Sequence, residues 1–262
     1  LSFIPVEKNV EVMLVTITNT GRMAQTVTPT AAIPLYGRSA DNIRDHRHVT
    51  SLLHRIETTD IGVLVTPTLS FDERGHQVNH MTYYCVGWSG NGEKPVDFYP
   101  TAEDFVGEGG NFERPYAIVK NAEGVKAGTR IEGLEAVGGL HFSEVTLEPE
   151  EECSYLIFTG ITEDIQEIRN LSKTYTTREM VLEELEKTKA YWQEKVNVAY
   201  HTGDSDFNQF MHWVSFQPIL RRIYGCSFLP HHDYGKGGRG WRDLWQDCLA
   251  LLIMNPDGVR QM

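Results

Sequence analysis

The period of the hydrophobic pattern changes once along this chain, near residue 160, and that change limits the folds open to it more than any single motif does. Before it, runs such as VEVMLVTITNTG, VTPTAAI, GVLVTPTLSFDERG and MTYYCVGWSG are rich in Val, Ile, Thr and Tyr. Turn residues separate them at roughly 8 to 12 residue intervals, the spacing of an antiparallel sandwich or barrel. The last of these segments, VTLEPEEECSYLIF, reads as strand, acidic turn, strand, a way to close an antiparallel sandwich. Two long loops are expected to interrupt the strands, residues 36–55 with charge and histidine and residues 88–115 with Gly, Glu and Phe. Loops of that length tend to carry binding residues.

Past residue 163 the period is helical. Thr176 and Glu179 form a capping box, and Met180, Val181, Leu185, Thr188 and Trp192 mark one face of a helix to about Val198. An amphipathic helix between two domains predicts a linker. The run FNQFMHWVSFQPILRRIYGCS is apolar nearly all round, which predicts a core helix that Pro218 kinks or splits. RDLWQDCLALLIM likewise has too many apolar positions for one surface stripe and predicts a largely buried helix. The expected organisation is a β-sandwich over 1–162, a helical linker over 163–202, and the first helices of a larger helical domain over 203–262. Two such helices cannot enclose a core alone, so the chain is expected to be part of something longer.

With 262 residues, 40 % of them hydrophobic, the chain can bury a substantial core. Its net charge of −12 and pI near 5.3 argue against an electrostatic grip on nucleic acid or on an anionic membrane. Residues 203–262 hold six Asp against six Lys and Arg, so the acidity belongs to the first two hundred residues. No run approaches the ~20 apolar residues that span a bilayer. Cys85, Cys153, Cys226 and Cys248 show neither close pairing nor metal-ligand spacing, which predicts a reduced, cytoplasmic setting.

The candidate site is the stretch HHDYGKGGRGWRDLWQD, residues 231–247. Four glycines exclude a regular helix before about Trp241 and let the backbone approach a ligand. Charges of both signs then enter the first turn of an apolar helix, with Trp241 and Trp245 four apart on one face. Buried charges survive only when paired or bound, so a polar ligand is one explanation and an ion-pair network at a helix start is the other. Carbohydrate suits the mixture: hydroxyls take carboxylate and guanidinium partners, and sugar C–H faces lie on indole rings. GKGGRG fits neither a phosphate loop nor a dinucleotide fingerprint. His46, His48, His54, His231 and His232 lack metal-ligand spacing, and no metal is expected.

YGKGGRGWRDLWQD, following an apolar helix, an amphipathic helix and a β-sandwich, resembles the inverting glycoside phosphorylases that act on cellobiose, chitobiose and β-1,2-oligoglucans. GRSADNIRDHRH and GGNFERP are similar to segments of that family as well, and the wording of the main motif resembles its oligoglucan branch and the phosphorylase-like part of cyclic glucan synthases. The resemblance implies an N-terminal β-sandwich, a helical linker and an (α/α)6 catalytic barrel of which this chain supplies the start. It implies a glycosyltransferase-type enzyme with no cofactor, taking inorganic phosphate as co-substrate and a β-glucan oligosaccharide as its partner, in an assembly that is often a homodimer. Arg242 and Asp243 are implied to grip the sugar that becomes the phosphate ester. Lys236 joins them where cellobiose phosphorylases place an arginine, with Arg239 as the alternative occupant. Trp241 completes the substrate-binding set, and Asp247 is expected to support Arg242 or Asp243 from one turn on. The proton-donating Asp and the phosphate contacts come later in the family's order, so no catalytic residue is assigned within this chain, which alone is expected to be inactive. A non-catalytic carbohydrate-binding module is the alternative.

Overall fold

The computed structural model describes residues 1–37, 47–72, 75–224 and 241–261. The chain divides into two compact units, Leu1–Leu185 and Glu186–Met262, and the division falls within the stretch expected as a linker.

The first unit opens with β1 (Ser2–Phe3), β2 (Val10–Thr18), β3 (Gln25–Val27), β4 (Thr30–Leu35) and the short helix α1 (Arg47–Ser51). Strands β5 (Arg55–Thr58), β6 (Gly62–Val65), β7 (Leu69–Asp72), β8 (Gly75–Val78), β9 (Thr82–Ser89) and β10 (Asp97–Thr101) follow. Helices α2 (Ala102–Val106) and α3 (Tyr116–Lys120) precede β11 (Arg130–Glu132), β12 (Ala136–His141), β13 (Val145–Leu147) and β14 (Glu152–Thr162). Helix α4 (Ile165–Thr174) and the start of α5 (Arg178–Lys195) end it.

The organising element is a seven-stranded sheet in the order β1-β2-β14-β9-β6-β5-β11, antiparallel throughout. Successive side chains of a strand face opposite sides, and here both sides are covered. Val12, Leu14, Tyr84, Val86, Trp88, Leu156 and Phe158 face one way and pack with Ile168 and Leu171 of α4, Tyr175, and Val181 of α5. Val63, Val65, Cys85 and Ile157 face the other way, against Leu35, Phe98, Ala136 and Leu140 of the three-stranded sheet β10-β12-β4. The β texture of the first 160 residues is thus a sandwich, and α4 with the first turns of α5 forms a third layer on it. Trp88 fixes that layer: its Nε1 donates to the Tyr175 carbonyl at 2.7 Å, and its ring stacks on Phe158, which stacks on Tyr175.

Three expectations about this unit change. The strands flanking the acidic turn do not pair with each other: β13 pairs with β3, and β14 with β2 and β9. The turn is tied instead to Asn19 at the end of β2, which bonds the backbone of Glu150 and Glu151 and donates its side-chain amide to the Leu147 carbonyl. Nor is 88–115 a long loop. It contains β10, at the edge of the second sheet, and α2, capped by Thr101. Pro100 sits where the β10–β12 register shifts, a place where a residue without an N–H costs no ladder bond. The capping signal before α5 also moves by one residue: the helix begins at Arg178, and hydrogen bonds from Glu179's own backbone N–H and the Thr177 hydroxyl hold the Glu179 carboxyl below the usual range.

The second unit contains the rest of α5, then α6 (Ser205–Tyr224) and α7 (Trp241–Met254). Pro218 neither splits nor ends α6, which is continuous across it. Val196, Ile219 and Leu251 form a small buried cluster flanked by Trp192, Phe216 and Val259. The expectation that both helices are largely buried does not hold. Phe210, Trp213, Trp245, Leu249, Leu252 and Ile253 are all exposed. Each helix gives one stripe to its neighbour, and most of its other apolar positions are open to solvent.

Candidate functional site

Helix α7 begins at Trp241, directly after the last of the four glycines. Trp241 is 78 % exposed and Trp245 is 58 % exposed. Their rings meet edge to face with centroids 6.4 Å apart, so an indole pair stands open to solvent on the first two turns. Arg242 occupies the turn between them. Asp243 holds a backbone position one turn before Asp247, while its side chain, together with Lys236 and Arg239, lies outside the described residues.

Asp247 is 4 % exposed, and its Oδ1 accepts from Nη1 of Arg221 on α6 at 2.6 Å. The same guanidinium donates through Nη2 to Gln217 Oε1 at 3.0 Å. Expectation placed Asp247 in support of Arg242 or Asp243, and its described partner is on another helix. Beside it Arg222 donates from Nη1 to the carbonyls of Asn255 at 3.2 Å and Asp257 at 3.1 Å, just past the end of α7. It thereby ties down the turn that follows α7. Arg221 and Arg222 are two of the six cations in the charge balance of residues 203–262. The signal was present in an Arg-Arg pair on an otherwise apolar helix, where desolvated cations need partners.

Of the histidines, His46, His231 and His232 fall outside the described residues, as does the side chain of His48. His54 is buried, its Nδ1 shares a hydrogen bond with the Leu134 carbonyl at 3.1 Å, and burial lowers its pKa below the ordinary 6.5. Among the described residues no group of three His, Cys, Asp or Glu is placed to hold a metal ion. Cys85 is not a nucleophile, since complete burial pushes its thiol up to about 12. Residues of the expected 88–115 loop line a cleft of about 440 Å³, with Tyr99, Glu103, Glu108, Tyr116 and Glu123 on its walls. No helix among the described residues is long and apolar enough to cross a membrane.

The arrangement at α7 can do two things chemically. Its open indole pair offers flat apolar faces beside a guanidinium, the combination that a hydroxyl-rich, C–H-faced ligand needs. The Arg221–Asp247 pair, and the Arg222 bonds just past Met254, hold the helix carrying those indoles. A family model described as "Glycosyl hydrolase 94, supersandwich domain" matches residues 1–178, taking in all fourteen described strands and α4. No curated protein matches the chain.

Proposed function

Since the chain belongs to the glycosyl hydrolase 94 family through its supersandwich domain, we propose that it is the N-terminal part of a glycoside phosphorylase that cleaves β-glucosidic bonds with inorganic phosphate. The products are α-glucose 1-phosphate and a shortened sugar, with inversion at the anomeric carbon. The substrates are β-1,2-oligoglucans or cellobiose-type sugars. The observation that carries this reading is the exposed Trp241–Trp245 pair around Arg242 at the start of α7, in a chain of this family.

In this reading residues 203–262 open an (α/α)6 barrel, preceded by a sandwich over 1–162 and a helical linker over 163–202. Arg242 and Asp243, with Lys236 or Arg239, hydrogen-bond the hydroxyls of the sugar on the non-reducing side of the bond, and Trp241 takes its C–H face. An inverting glycosidase needs an acid and a base about 6.5 to 9.5 Å apart, the base serving to activate water. Phosphate is already an anion and makes the base unnecessary. A phosphate oxygen forms the new bond to the anomeric carbon as the glycosidic oxygen leaves, and one carboxylic acid gives that oxygen its proton. None of the residues named here is assigned that proton transfer. No cofactor enters the reaction, and the assembly is a homodimer. A cytoplasmic setting suits the free thiols of Cys85, Cys153 and Cys248.

The test is turnover of sophorose, cellobiose and laminaribiose by the complete protein, with and without phosphate. Glucose 1-phosphate released only when phosphate is present supports the proposal. Hydrolysis without phosphate points to an ordinary glycosidase, and sugar binding with no turnover to a carbohydrate-binding module.

A further inference from the structure

The first turn of α7 is held from a distance, and the groups that hold it are on α6. Apolar contact among Val196, Ile219 and Leu251 brings the helices together, but such contact is non-directional and tolerates rotation and sliding. Direction comes from two adjacent arginines. Arg221 bonds the buried carboxylate of Asp247, on the second turn of α7, at 2.6 Å. Arg222 bonds the carbonyls of Asn255 and Asp257 at the other end of the helix. The two anchor points, Asp247 on α7 and Asn255 directly after its last residue, are eight residues apart, about 12 Å at the helical rise of 1.5 Å per residue. A rigid rod fixed at two points 12 Å apart has its rotation and its axial position set.

We propose that Arg221 and Arg222 are positioning residues: by clamping α7 through Asp247 and through the backbone that directly follows its last turn, they set where Trp241, Arg242 and Asp243 are presented. The proposal rests on the sugar-binding reading of that turn. Neither arginine touches the sugar. Their effect passes through helix placement, where an error of about 1 Å at a binding group costs up to ~100-fold in rate. The planar guanidinium fork suits this task, because it reaches two acceptors at once in fixed geometry, as Arg221 does with Asp247 and Gln217.

The decisive measurement is steady-state kinetics of the complete protein with sophorose and inorganic phosphate, alongside its thermal midpoint. Arg221→Met and Arg222→Met are each expected to raise the sugar KM at least tenfold while the phosphate KM stays within about twofold. Arg221→Lys, which keeps the charge but loses the fork, is expected to fall between. If both Met variants are folded with a lowered midpoint and an unchanged sugar KM, the arginines are merely structural and the proposal is overturned. Arg222→Met leaves the buried pair intact and decides the matter should Arg221→Met not fold. Arg242→Ala separates the two levels: a raised sugar KM there with silent Arg221→Met and Arg222→Met sinks only the clamp, whereas silence at Arg242 as well removes the sugar reading and the clamp with it.

Discussion

The two units of this chain spend their apolar residues differently. In the sandwich both faces of one sheet are covered, and residues such as Val12, Val63, Val86, Leu156 and Phe158 are wholly buried. Exposed ion pairs such as Lys94 with Asp60 and Arg130 with Glu57 lie at its rim, where a pair contributes about 1 kcal/mol or less. In the helical unit the order is reversed: the core is a small cluster, a carboxylate is buried with its counter-ion, and large aromatics such as Phe210, Trp213, Trp241 and Trp245 stand outside. Burying the Asp247 carboxylate against a partly exposed guanidinium does little for stability that apolar side chains would not do as well. It does give a fixed direction. Under the proposed function, the first unit supplies stability and the second ligand geometry.

Asp243→Asn tests that assignment most severely. Phosphorolysis by the complete protein is expected to fall at least ~1000-fold, about 4 kcal/mol of transition-state stabilisation, with no change in the thermal midpoint. Unchanged turnover would take Asp243 out of the site and leave the helical unit without its proposed role. Phe158→Ala tests the other side. Removing a fully buried ring between Trp88 and Tyr175 is expected to cost about 3 to 5 kcal/mol in chemical denaturation, while the sugar KM of the folded fraction stays the same. A shifted KM would mean that the two units are not separable in this way.

The smallest effect belongs to His54. Its folded pKa lies below 6.5 because it is buried. As the pH drops below about 6.5, the unfolded chain takes up a proton that the folded chain does not, so stability declines from there down to the lower folded pKa, where the decline stops. His54→Gln is expected to flatten that slope. Urea midpoints at about pH 7.5 and pH 5.5 measure it, and an equal decline in the two proteins would show that other groups cause it.

Where local pattern decides structure, the sequence was legible. Alternation and β-branched residues marked β2, β6, β9 and β14, and the change of period marked α4 and α5. The apolar run from Trp241 marked α7. What escaped was non-local. The pairing of β13 with β3 joins Val145 to Val27 across more than a hundred residues, and no local signal distinguishes it from a hairpin with β14. VDFYPT hid β10 because Asp and Pro are poor strand residues, tolerated here at a sheet edge with a register shift. Of the candidate site, the positions of Trp241 and Trp245 were legible from their spacing, but the partner of Asp247 was not. A charge in an apolar helix announces that it needs a counter-ion without saying which helix supplies it.

The buried place of Trp88 has an optical consequence. It is the one tryptophan among residues 1–185; the other four, Trp192, Trp213, Trp241 and Trp245, all belong to the second unit. An indole at 3 % exposure, stacked on Phe158, emits at shorter wavelength and is shielded from aqueous quenchers, whereas Trp241 and Trp245 emit as solvated indoles and are quenched at once. The intrinsic fluorescence of this chain therefore carries a blue component that reports whether the helical layer is seated on the sheet, and a red one, shared with Trp213 on α6, that reports what lies against the first turns of α7.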